Sequence, residues 1–112
     1  MPEIKREMSE DGLTITISSG QTASSSFTAR EFAFGSIEAP STLTGTTFHI
    51  EVSLDGTNFV DAYDQSGNQI TFTPTVSTAH RIPNDAFPAI EMRIVSDSAE
   101  GADRTFKVLL ST

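Results

Sequence analysis

The chain has 112 residues, a formal net charge of −8, eight Phe, one Tyr, no Trp and no Cys. That length suits one domain with a single core, and the missing Cys excludes disulfides, thiolate metal sites and cysteine nucleophiles. The surplus of 15 Asp and Glu over 7 Lys and Arg repels phosphates, so neither nucleic acid nor an anionic membrane is an expected partner.

Residues 1–12 (MPEIKREMSEDG) carry Glu3, Glu7, Glu10 and Asp11 beside Lys5 and Arg6, with Ile4 and Met8 as apolar anchors. They hold no apolar run of the kind a secretory signal or membrane helix needs. One reading is a solvated terminal tail. The other is a short N-terminal arm that packs on a neighbouring subunit through Ile4 and Met8, which stand at i and i+4.

Residues 13–112 have a different pattern and are expected to form a single domain. Ser and Thr make up about a quarter of the chain and largely sit between apolar residues, where Thr suits a pleated, half-buried surface. Leu13-Thr14-Ile15-Thr16-Ile17 alternates apolar and polar. So do residues 48–54 (FHIEVSL), 70–73 (ITFT), 90–94 (IEMRI) and 106–108 (FKV). Alternation of period two gives each run one face for a core and one for water, which predicts strands. Weaker strands are expected at 24–27, 31–37 and 78–82.

Turn signals separate these runs: Ser18-Ser19-Gly20, residues 41–45, Asp55-Gly56, Ser66-Gly67-Asn68 and the polar loop 97–103. Pro74, Pro83 and Pro88 cannot donate to a ladder and mark edges or strand ends. The prediction is an all-β fold, an antiparallel β-sandwich of jelly-roll-like form with about eight or nine short strands.

Little of the chain suggests chemistry. His49 shares a polar face with Glu51, and His80 lies on the side of Ile82; neither has a further partner at metal-ligand spacing in sequence. No Gly-x-Ser-x-Gly elbow or phosphate-binding glycine loop is present. No catalytic residue, cofactor site or metal site is therefore assigned, and no enzyme is expected. In residues 55–64 (DGTNFVDAYD), Asp55, Asn58, Asp61 and Asp64 offer hard oxygens for calcium. Their spacing departs from an EF-hand loop, and Asp55-Gly56 serves first as a tight turn. Sugar recognition favours flat aromatic platforms, for which Tyr63 and the loop residue Phe87 are the available candidates.

The order of short landmarks carries a resemblance. Residues 17–24 (ISSGQTAS), 35–40 (GSIEAP), 48–59 (FHIEVSLDGTNF) and 92–96 (MRIVS) together resemble small jelly-roll-like virion proteins of tailed bacteriophages and prophages that decorate or cement the capsid. The resemblance spans about residues 13–110. It implies a capsid decoration or head-surface protein that binds the major capsid protein or another virion protein and uses no cofactor. It also implies a place on the virion surface after synthesis in the bacterial cytoplasm. Self-association into a homo-oligomer such as a trimer is expected, because identical copies on a capsid meet at symmetry axes. The motifs fix no contact residues. Those offered by the sequence are Ile4 and Met8 of the arm and Leu43 and Thr44 of the 41–45 loop, and the 97–103 loop is a further candidate contact element. The Ser-x-Asp-Gly-x-x-Phe turn also occurs in discoidin-like and carbohydrate-binding modules, so a glycan-binding module of a phage tail adhesin is the alternative. A third reading is an accessory domain of an enzyme.

Overall fold

Every second residue is buried along Thr14–Ile17, Phe34–Glu38 and most of Arg104–Ser111, as the alternation requires. The computed structural model describes residues 13–112; the 1–12 segment, with Ile4 and Met8, lies outside them. Among the described residues nine strands form: β1 (Thr14–Ile17), β2 (Phe27–Thr28), β3 (Phe34–Glu38), β4 (Phe48–Ser53), β5 (Val60–Asp61), β6 (Thr71–Phe72), β7 (Ala79–Ile82), β8 (Glu91–Ser96) and β9 (Arg104–Ser111). A 3-10 turn at Asn84–Ala86 and a cis Phe87–Pro88 bond lie between β7 and β8.

The strands make two antiparallel sheets, ordered β1-β9-β3-β7 and β2-β8-β4-β5, with β6 also pairing with β4. Pairing is nested: β1 joins β9, β2 joins β8, β3 joins β7, and β4 joins both β5 and β6. A long hairpin has this pattern. Its two arms then roll together as β3 lies on β9 and β4 on β8. The result is a jelly-roll sandwich.

The inward residues of both sheets fill one core. Ile15, Ile17, Ile37, Ile82, Phe106 and Leu110 come from the four-stranded sheet; Phe48, Ile50, Met92 and Ile94 face them from the other. Phe48 contacts Phe106 edge-on with ring centroids 5.8 Å apart, joining the two layers directly. Gly35 has a packing reason: a Cβ there would lie 2.8 Å from both Ile82 Cδ1 and Leu110 Cδ2. The strand therefore passes close beneath two buried side chains.

Most expected strands are present with shifted ends. The expected strand at 24–27 is shorter, because Ala23 and Ser24 make only isolated bridges to Val95 and Ile17 before β2 begins. β5 is an addition: both of its residues are exposed, so no buried alternate marked it. Phe placement also differs in one respect. Phe87 is half-buried against the core, whereas Phe34 at the start of β3 is the Phe exposed to solvent.

Truncating Phe106, which is fully buried between the sheets, removes the edge contact and leaves a cavity. Phe106→Ala is expected to cost about 3–5 kcal/mol in chemical denaturation. That is a large part of the roughly 5–15 kcal/mol of a typical domain.

Candidate functional site

Loops leaving the sheets expose backbone N–H groups that need acceptors, and carboxylates supply them. The clearest case is the turn before β4, where four consecutive amides point at two side chains of the β8–β9 loop. Glu100 Oε1 accepts from Thr44 N and Oε2 from Gly45 N, both at 2.8 Å. Asp97 accepts from Thr46 N at 3.0 Å and Thr47 N at 3.2 Å. Glu100 is fully buried and also takes bonds from Ser96 Oγ (2.9 Å) and Arg104 Nε (3.0 Å). Gly45 has to be glycine here: a Cβ would sit 2.0 Å from Ser96 Oγ and 2.8 Å from Asp97 Oδ1.

Burial raises the Glu100 carboxyl, but the bonds from Thr44, Gly45, Arg104 and Ser96 outweigh it and hold the group below its ordinary range. Asp97 is held low by the Thr46 and Thr47 amides. Leu43 and Thr44, offered by the sequence as contact residues, sit at this clamp. Leu43 packs on the core, and Thr44 Oγ1 accepts from Gly101 N and Arg104 Nη2.

The acidic stretch 55–64 divides its work. Asp55 accepts from the backbone of Thr57 (2.9 Å) and Asn58 (2.8 Å) and from the Asn58 amide (2.8 Å). Gly56 follows at φ +89°, so the tight turn expected from Asp55-Gly56 is present. The Asn58 and Thr57 bonds push the Asp55 carboxyl far below its usual range. Asp64 caps the next turn through Ser66 N and Asn68 N, both at 2.9 Å. Asp61 faces His49 instead, 3.3 Å from its Nε2. Asp55, Asp61 and Asp64 thus serve separate partners, and Asn58 donates to Asp55. His80 is half-buried, and its Nε2 accepts from Thr75 N at 3.0 Å.

A second candidate surface is the outer face of the four-stranded sheet. Register places Thr14, Lys107, Glu38 and Ala79 in one row, and Leu109, Ser36 and Arg81 in the next. Small Ser36 and Ala79 lie low among longer neighbours and leave two shallow depressions of about 270 and 280 Å³. Phe34 and Leu109 border them, 36% and 42% exposed among the described residues. A weak Lys107–Glu38 pair at 3.8 Å crosses the face. The mixture of apolar rim, neutral floor and scattered charge suits a protein contact better than a small-molecule pocket. A second apolar feature lies at one end of the sandwich, where Leu54 and Val60 are 69% and 59% exposed beside Asp55 and Asn58.

No protein-family model matches this chain, and no curated protein matches it in sequence. Among solved structures the chain is similar to the SPBc2 prophage-derived protein YomS, with a TM-score of 0.64. The match covers 100% of this chain and 99% of that one at 7% sequence identity, a likeness of fold.

Carboxyls held below their ordinary range stabilise the fold at all higher pH and lose that contribution as pH falls through their lowered values. Thermal stability is therefore expected to stay level from pH 7 to about 5 and to fall below about pH 4, first as the unfolded chain's carboxyls take up protons and at lower pH as folded Glu100, Asp97 and Asp55 protonate. Glu100→Ala removes the acceptor of the buried Gly45 amide, of the part-buried Thr44 amide and of Arg104 at once. It is expected to cost about 3–5 kcal/mol, read from denaturation midpoints at pH 7.

Proposed function

We propose that this chain is a structural protein of a phage or prophage particle, a capsid decoration protein that acts by adhesion and not by catalysis. The observation that carries the reading is the end-to-end likeness of its fold to a prophage-derived protein of equal extent. The ordered sequence landmarks point the same way. Its partner in this reading is the major capsid protein or another virion protein, and its own copies associate around a symmetry axis.

The outer face of the four-stranded sheet is the proposed contact surface. Its central strands are already paired within the sheet, and Phe34 and Leu109 give it apolar area that water solvates poorly. The net charge of −8 disfavours adhesion to packaged nucleic acid and leaves protein–protein contact as the mode of attachment.

Cryo-electron microscopy of the parent particle tests the role: density for this sandwich on the head surface is expected, and its absence from the virion overturns the proposal. Phe34→Glu with Leu109→Glu tests the face. Occupancy on particles is expected to fall about tenfold or more with an unchanged circular dichroism spectrum. Unchanged occupancy would remove this face from the contact.

A further inference from the structure

The outer surface of the other sheet gathers a group with no part in the adhesion reading. His49 and Glu51 project from the same side of β4, two residues apart. Pairing of β4 with β5 sets Asp61 directly opposite Glu51, and pairing with β8 sets Arg93 opposite it on the other flank. Two carboxylates directly opposed on neighbouring strands repel each other. His49 Nε2 lies 3.3 Å from Asp61 Oδ1 and 3.8 Å from Glu51 Oε2. One ligand atom from each of the three side chains lies within 4.8 Å of the other two.

Arg93 determines which Glu51 oxygen is left over. Its Nε and Nη2 both lie 2.6 Å from Oε1, and its guanidinium is held over the Phe59 ring at 4.3 Å. Oε2 is thereby turned toward His49 and Asp61. This is the outer-shell arrangement that orients a ligating carboxylate.

We infer that His49 Nε2, Glu51 Oε2 and Asp61 Oδ1 bind a divalent transition-metal ion of the zinc class, with Arg93 as the positioning residue. Ligand atoms at about 2.0–2.1 Å from a tetrahedral ion stand about 3.3 Å apart. His49 Nε2 and Asp61 Oδ1 already stand at that separation; Glu51, 3.8 Å from His49 and within 4.8 Å of Asp61, has to move inward on binding. One imidazole nitrogen with two carboxylate oxygens suits zinc, cobalt or nickel, whereas calcium takes six to eight oxygens. The side chains keep partial exposure, so water completes the shell. The ion would bind β5, held to β4 by two register pairs, more firmly to the sheet.

The test uses the full chain after chelator treatment, titrated with zinc chloride by calorimetry and followed by thermal unfolding. One ion per chain and a raised melting temperature are expected, with no response to calcium. His49→Ala and Asp61→Asn should each weaken binding about tenfold or more, while His80→Ala should leave it unchanged. Circular dichroism checks that each variant is folded, and the visible absorption of bound cobalt gives a second readout that should disappear in His49→Ala. Absence of zinc binding up to about 1 mM, equivalent to roughly −4 kcal/mol, overturns the inference. Equal binding by the parent chain and by His49→Ala and Asp61→Asn overturns it as well.

Discussion

Backbone amides that leave a sheet must find acceptors, and in this chain carboxylates provide them. Glu100 and Asp97 together take four successive amides of the turn before β4. Asp55 and Asp64 close the turns on either side of β5, and Asp103 accepts from Ser19 N at 2.8 Å beside the β1–β2 connection. The sheets themselves are held by ordinary alternation and burial. The connections are joined to them by this set of charge-assisted bonds, which are stronger than neutral ones, alongside backbone bonds such as Ser96 N to Thr22 O and Asp97 N to Thr47 O. The acidic composition is thus partly internal architecture, and only the remainder is a solvated coat.

The same bonds explain how a small sandwich can have long connections. The segment between β3 and β4 contains no regular structure, yet its last residues are fixed by partners more than fifty positions away. Leu43 anchors it from the core side. Ser24 does a similar service elsewhere: its amide donates to Ile94 O and its Oγ accepts from Ile94 N. Short polar side chains and carboxylates here replace ladder pairs where the strands stop.

Strand alternation was open to inspection in the sequence because each residue's neighbours two positions away report its face. Residues 13–17, 48–54 and 90–94 gave the β1, β4 and β8 segments directly. β5 was hidden, since Val60 and Asp61 are both exposed and the Asp55-Gly56 turn dominates their surroundings. The Glu100 clamp was hidden for a different reason. Within DSAEGAD it is one acid among several, and its partners Thr44 and Gly45 are 55 or more residues away. The meeting of Asp61 with His49 is likewise a product of strand pairing, not of spacing along the chain. The Ser36–Ala79 depressions depend on three strands being side by side, an order no single stretch encodes.

The five-stranded sheet is bounded by very short strands. β2, β5 and β6 have two residues each, and the Tyr63–Gln69 bridge separates the latter two. Such borders give a stray chain too few free amides and carbonyls to zip onto. Crowded copies would therefore have little means of growing into fibrils along this border, and would remain individual bodies that touch by their broad sides.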